Sequence, residues 1–287
     1  MNHIPIFIIN LKQDTEKKKH MQQLCNQYRL DCQFIDAVYG KEIDKNKLTK
    51  VYDKKRTLAE IGRELSVGEI GCTLSHMHIY QKMIDEHIEQ AIIFEDDITF
   101  NNRIHDVFSS ISNFPEDWEC VLLHYHRNGT FRKRYCISFH DRKAVAKGLK
   151  IVRFTDLMHS TGAYIVNLAG AKKLLTHLEK GIYKPIDHYT GNENDVNLYG
   201  LHPRIVETDS KIHLQSILFK ERNMLIKNAL EQRGKIKKPE KNIEKFRTIL
   251  KKIGLHALFK KINDKRLDIM FYVKNFKMCL VKPKKYR

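Results

Sequence analysis

The stretch IIFEDDIT, residues 92–99, carries an apolar run from Ala91 to Phe94 straight into Glu95, Asp96 and Asp97 before the chain turns apolar again. A short apolar run of this kind is consistent with a buried strand. Neighbouring carboxylates at its end repel one another, at a cost of up to about a few kcal/mol when partly desolvated, unless a cation or hydrogen-bond donors compensate. Two readings of the trio stand. One is a solvated acidic turn after a buried strand; the other is a set of oxygen ligands for a hard divalent ion, Mg²⁺ or Mn²⁺, which takes one or two protein carboxylates beside substrate phosphates.

The surrounding sequence alternates strand and helix. HIPIFIIN (3–10) reads as a strand, and residues 14–29 as a helix with Met21, Leu24, Cys25 and Tyr28 on one side. CQFIDAV (32–38) reads as a second strand, followed by weak helical or loop segments over 41–63. At 66–87, SVGEIGCTLSHMHIYQKMIDEH sets Ser66 and Glu69 in the S-x-x-E spacing of a capping box, so a helix starts there. Its apolar stripe is Val67, Ile70, Leu74, Met77 and Ile84, which leaves Gly68, Cys72, Ser75, His76 and Ile79 on another face. The strand at 90–95 follows, then a helix near 103–112 and strands at 119–125, 134–140 and 149–154. TGAYIVN (161–167) reads as a strand feeding a helix over 168–181 that Gly181 stops. This alternation predicts an α/β fold with a mostly parallel or mixed central sheet flanked by helices. Ligands of open α/β sheets bind at the carboxyl ends of the strands, where Glu95, Asp96 and Asp97 sit.

Of the 287 residues, 42% are apolar, enough for a substantial core. No apolar run reaches the roughly 18–20 residues that span a bilayer, and IPIFIIN lacks the basic flank of a signal peptide, so a cytoplasmic protein is expected. The six cysteines show neither a Cys-x-x-Cys pair nor metal-ligand spacing and read as reduced thiols filling the core. Of the net charge of +18, +14 falls in residues 235–287, which hold 18 Lys/Arg against four Asp/Glu. The expected organisation is therefore a nearly charge-balanced domain over 1–234 and a basic helical tail over 235–287. Between Lys241 and Ile262, the residues Ile243, Phe246, Ile249, Leu250, Ile253 and Ala257 follow helical spacing among lysines. Such a basic amphipathic helix either lies on an anionic membrane surface or packs its apolar stripe on the domain.

Four segments, FIDAVYGKEI, ELSVGEIGCTLSHMHIYQKMID, AIIFEDDITF and STGAYIVNLAGAKKLL followed by KPID, together resemble glycosyltransferase family 25 in order and interval, over roughly residues 3 to 220. The resemblance implies a GT-A type fold, a UDP-sugar donor, commonly UDP-galactose, a divalent metal (Mn²⁺ or Mg²⁺), and transfer with inversion. It implies that Glu95 and Asp96 bind the donor, that Asp97 holds the metal, and that Asp96 contacts the ribose or a metal-bound water. Asn10 and Leu11 match the family's nucleotide-contacting pair. Ala37, Cys72, Ser75 and His76 are carried over as further donor-site positions, and His213, in HLQS, as a second metal or diphosphate contact. Lys12 and Lys18 stand where the family often has arginines. Asp187 of KPID is the candidate base that takes the acceptor hydroxyl's proton; otherwise it caps a short helix. Glu193 and Asp195 are its runners-up.

The acceptor implied is a lipid-linked lipooligosaccharide or lipopolysaccharide core, met by a peripheral protein at the inner membrane face. Two rival functions remain open. Glu95 or Asp97 with Asp187 could be the carboxylate pair of a glycoside hydrolase, although adjacent acids at a strand end suit a metal better. A non-enzymatic membrane or nucleic-acid binder driven by the tail is the other. Against nucleic acid stand the balanced body and the lack of any zinc, RRM or KH signature, so no nucleic-acid partner is expected.

Overall fold

The computed structural model describes residues 4–127, 137–154, 157–191, 195–213 and 217–232. Among the described residues twelve strands are formed: β1 (Ile6–Asn10), β2 (Cys32–Asp36), β3 (Gln90–Glu95), β4 (Ile98–Phe100), β5 (Cys120–Leu122), β6 (His126–Arg127), β7 (Ile137–Ala146), β8 (Leu149–Phe154), β9 (Met158–His159), β10 (Ala163–Asn167), β11 (Leu198–His202) and β12 (Val206–Thr208). The helices are α1 (Thr15–Gln27), α2 (Lys45–Val51), α3 (Lys54–Glu60), α4 (Val67–Asp85), α5 (Ile104–Ser109), α6 (Leu168–Glu179), α7 (Ile186–Thr190), α8 (Ser210–His213) and α9 (Ile217–Gln232). Eight strands make one sheet in the order β2-β1-β3-β10-β5-β11-β8-β7.

Period-two alternation divides the core between the two faces of that sheet. Ile6, Ile8, Ile92, Phe94, Ala163 and Ile165 point to one face, covered by Met21, Leu24 and Cys25 of α1 and by Ile104 and Val107 of α5. Phe7, Ile9, Ile93, Tyr164 and Val166 point to the other, covered by Ile79, Tyr80 and Met83 of α4 and by Leu174, Leu175 and Leu178 of α6. The α/β class and the flanked central sheet expected from the sequence are present. The sheet is mixed: β1 runs parallel to β2 and β3, and β5 to β11, whereas β10 opposes both its neighbours and β8 both of its own.

The capping box of α4 is closed in both directions. Ser66 Oγ accepts from Glu69 N at 3.1 Å, and Glu69 Oε2 accepts from Ser66 N at 2.9 Å. Arg63 then holds both Glu69 oxygens at 2.6 and 2.8 Å. The helix departs from the expected single stripe. Ile79, Tyr80 and Met83 pack on the sheet, and Ile70 and Leu74 pack on the opposite side against Leu65, Ile182 and the segment from Val38 to Tyr52. A helix held between two layers is buried on both sides, so a one-faced pattern does not describe it. Gly71 is what lets the Val38–Gly40 backbone approach: a Cβ there would stand 2.5 Å from Val38 O. Gly71→Ala is expected to destabilise by about 1–3 kcal/mol, as overpacking of a tight core does. Denaturant unfolding with an unaltered midpoint would contradict this.

Other boundaries differ slightly from expectation. The strand over 119–125 is reduced to Cys120–Leu122, and the helix near 103–112 ends at Ser109 before a 3₁₀ turn, Ile111–Asn113. Residues 134–136, the runner-up base Glu193 and the whole basic tail 235–287 lie outside the described residues. Gly181 follows α6 with φ of +114°, the conformation for which a glycine stop is suited.

Candidate functional site

The topology gathers the acidic residues and their partners at the edge formed by the ends of the interior strands β1, β3 and β10. Because β1 and β3 are parallel, with Ile9 opposite Glu95, Asn10 and the acidic turn end side by side. Because β10 is antiparallel to β3, the start of β10 meets the same edge, and Glu95 N donates to Gly162 O at 2.9 Å. The chain leaves the strand after Glu95, so Asp96 and Asp97 lie in a turn leading to β4. Strand alternation, which would pair Glu95 with Asp97, therefore does not apply. The β4–β12 pairing brings α8 over this turn, where Asp209 N donates to Asp97 O at 2.7 Å.

Each carboxylate has its own partners. Asp96 accepts from Asn10 Nδ2 and Lys17 Nζ, both at 2.9 Å. Asp97 Oδ2 lies 2.6 Å from His213 Nδ1. Glu95 Oε1 accepts from Thr161 Oγ1 at 2.5 Å and lies 3.7 Å from His76 Nε2. Asp96 and Asp97 are 9% and 8% exposed, so the solvated-turn reading does not describe them. Burial pushes Asp96 up to about 6 even though Lys17 and Asn10 act to lower it, and the charge of Asp97 adds to the rise. For Asp97 burial also acts upward, but the His213 hydrogen bond and charge hold it below the ordinary carboxylate range. Burial acts to lower Lys17, and Asp96 overrides it and raises the ammonium above its usual value.

A cleft of about 230 Å³ opens over this edge. Leu11 and Ala37 line it, as do Cys72 and Ser75 of α4, Glu95, Asp96 and Asp97, His124 and His126 after β5, Thr161 and Gly162 before β10, Asp187 of α7, His213 of α8 and Arg222 of α9. Asp187 lies in the first turn of α7, whose N-cap is Pro185 and which has no side-chain cap bond. Among the described residues its Oδ1 is buried with no hydrogen-bond partner, which does not support the capping alternative. Burial, then Arg204 and His126, press His124 down to about 3, so it is a neutral imidazole at the cleft wall.

Of the site residues read from the sequence, Leu11, Ala37, Cys72, Ser75, Glu95, Asp96, Asp97, Asp187 and His213 line this one cleft. Two stand behind it. Asn10 is 4% exposed and orients Asp96, while His76 is fully buried, its Nδ1 2.8 Å from Tyr164 Oη. Ser75 Oγ is engaged with the backbone, accepting from Val38 N and donating to Gly71 O. Lys12 pairs with Asp36 in solvent and Lys18 lies over the Phe34 ring, so neither reaches the cleft. Lys17 does, a residue the sequence reading passed over. Its spacing of three from Asp14, the pair being 3.6 Å apart, is the only local signal for it. Asp195 has its carbonyl bound by Lys173 Nζ at 2.9 Å, away from the cleft residues.

Residues 3–190 match the family model described as Glycosyltransferase family 25 (LPS biosynthesis protein). The chain is 27% identical over 196 residues to procollagen galactosyltransferase 1-B of Xenopus laevis, a match covering 66% of this chain and 31% of that relative. It is 27% identical over 191 residues to procollagen galactosyltransferase 2 of Homo sapiens, covering 64% and 29%. It is 29% identical over 201 residues to a glycosyltransferase 25 family member of Aedes aegypti, covering 64% and 30%. The chain thus spans about 30% of the length of the curated relatives it matches.

Proposed function

We propose, from the premise that the chain belongs to glycosyltransferase family 25, as its match over residues 3–190 establishes, that the cleft binds a UDP-hexose with a divalent metal and transfers galactose with inversion to a glycan hydroxyl. The observation that carries this reading is Asp187: a carboxylate oxygen buried without a partner, in the cleft that also holds Asp96, Asp97 and His213. A buried acceptor with no donor is costly unless something arrives to satisfy it, and an acceptor hydroxyl is such a group.

The residues fit a metal. Asp97, Asp96 and His213 offer two carboxylates and an imidazole nitrogen, and because burial pushes Asp96 up to about 6 in spite of Lys17, a further positive charge beside it would favour its ionised form. Oxygen donors suit Mg²⁺ and Mn²⁺, and the nitrogen favours Mn²⁺ of the two. When bound, the ion offsets the negative charge of the departing diphosphate. The chain's own residues supply the remainder. Asn10 and Lys17 fix Asp96 for the ribose side, Lys17 and Arg222 add positive charge for the diphosphate, and Asp187 takes the proton of the attacking hydroxyl. Thr161 holds Glu95 in place at the donor end.

Thermal unfolding of the full chain with UDP, Mn²⁺, both or neither tests the donor site. Stabilisation is expected only when both are present, and would reach about 2.7 kcal/mol at 100-fold excess over Kd. Hydrolysis of glycosides without any nucleotide or metal requirement would instead favour the glycoside hydrolase reading.

For the acceptor we infer a lipid-linked lipooligosaccharide core, supported by the description of the matched family and by the basic segment 235–287. Among the described residues no helix is long and apolar enough to cross a membrane. The full chain is expected to pellet with anionic but not neutral vesicles, each Lys or Arg near the surface adding about 1 kcal/mol. Binding should weaken steeply with salt and disappear on deletion of 235–287. Equal, salt-insensitive pelleting of both forms would remove the anchor.

A further inference from the structure

We propose that Cys72, His76 and Glu95 form a seat for a second, thiophilic divalent ion, Zn²⁺, distinct from the ion expected at Asp97 and His213. One ligand atom from each of the three residues can be chosen so that all lie within 4.8 Å of one another. Two come from one turn of α4: the Cys-x-x-x-His spacing of residues 72 and 76 puts both side chains on the same helical face. The third closes the set from the end of β3, next to that face.

The independent sign is the histidine. His76 is fully buried, and among the described residues its Nε2 has no hydrogen-bond partner. It faces Glu95 Oε1 at 3.7 Å, beyond hydrogen-bond reach. Zinc bonds of about 2.0–2.2 Å to nitrogen and oxygen in a tetrahedral arrangement separate those two atoms by roughly 3.4 Å. The His76–Glu95 gap is therefore close to what zinc asks for, and the Cys72 sulfur, within 4.8 Å of a ligand atom of each, would have to move inward to complete the set.

The ring is also held for the task. His76 Nδ1 is 2.8 Å from Tyr164 Oη, which is in turn 2.8 Å from Tyr80 Oη. With Nδ1–H donating to Tyr164 and the tyrosine hydroxyl passing its own hydrogen to Tyr80, Nε2 presents a lone pair toward Cys72 and Glu95. That is how an outer hydrogen bond orients a metal-binding imidazole. Cys72 and Glu95 both border the cleft, so the fourth position opens to water, which makes an exchangeable site and not a closed structural one. Burial, with the charge of Glu95, pushes the Cys72 thiol well up. Without the ion it is a neutral thiol, and binding releases its proton. Cys72 is not the inert core filler that cysteine spacing alone indicates.

The test uses the full, reduced, metal-stripped chain titrated with Co²⁺ and then Zn²⁺. A cobalt thiolate charge-transfer band that saturates at one ion per chain and is bleached by Zn²⁺ is expected. Cys72→Ser should lose the band and weaken Zn²⁺ binding beyond the roughly 10–100-fold that loss of an outer-shell partner costs, while Tyr164→Phe should keep the band and weaken binding within that range. Circular dichroism melting of both variants checks that they fold. No band in the folded wild-type chain would overturn the proposal. A band that persists in Cys72→Ser would assign the ion to other thiols, such as the hydrogen-bonded pair Cys25 and Cys32, and would overturn it equally.

Discussion

Asp97→Asn is expected to abolish Mn²⁺-dependent UDP binding and to lower transfer by roughly 10³-fold, since a bound metal supplies several kcal/mol of charge stabilisation and each 1.36 kcal/mol is a factor of ten. An amide is a poor ligand for a hard cation. The fold should tolerate the change, because the amide oxygen can still face His213, which lies 2.6 Å from the carboxylate. Two effects on stability oppose one another. The charge-assisted contact with His213 is weakened, but Asp96, which the charge of Asp97 helps to push up to about 6, ionises more readily beside Lys17 once that charge is gone. Titration calorimetry and thermal unfolding of the same preparation separate loss of the site from loss of the fold. Unchanged turnover with full metal dependence would remove Asp97 from the site.

The layers of the fold were legible because they are local. The apolar runs of Ile6–Asn10 and Gln90–Glu95, and the Ser66–Glu69 box, each act within a few residues. What sequence patterns could not express is where a face points once two layers press on it. His76 sits in a helix stripe that looks partly polar, yet it is fully buried because α4 packs on the sheet through Ile79, Tyr80 and Met83. Lys17 and Lys18 are adjacent in sequence. The helical step of about 100° between neighbours sends the first to Asp96 and the second over Phe34.

The candidate site was legible in a different way. The acidic trio was visible as an anomaly, three carboxylates after a buried strand, but its individual partners were not. His213 and Asp97 are 116 residues apart, and only the β4–β12 pairing brings them together. His124 and His126, from the segment after β5, and Arg222, from α9, also reach the cleft, and nothing in their spacing from the acidic trio signals it. Family resemblance supplied His213 and Asp187, whereas composition and periodicity supplied neither.

Asp187→Asn is expected to leave UDP and Mn²⁺ binding within a factor of about two of wild type while transfer falls roughly 10²–10⁴-fold, the range that a general base contributes. Two features of its surroundings make this a clean substitution. The N-cap of α7 is Pro185 and Asp187 lies inside the first turn, so replacing the carboxylate leaves the cap residue in place. Its Oδ1 is buried without a hydrogen-bond partner, so removing the charge lifts a desolvation cost and should leave the melting temperature equal or higher. A loss confined to turnover then identifies a group that acts on the attacking hydroxyl and not on the donor. Stereochemistry provides the second arm. A single displacement assisted by one base converts an α-linked donor sugar into a β-linked product, which NMR of the glycan reads from the anomeric coupling. An α-linked product would remove the base role of Asp187 together with the inverting mechanism. An Asp187→Asn enzyme that turns over at the wild-type rate would remove the base role alone and leave the buried, unpartnered oxygen as an element of acceptor binding.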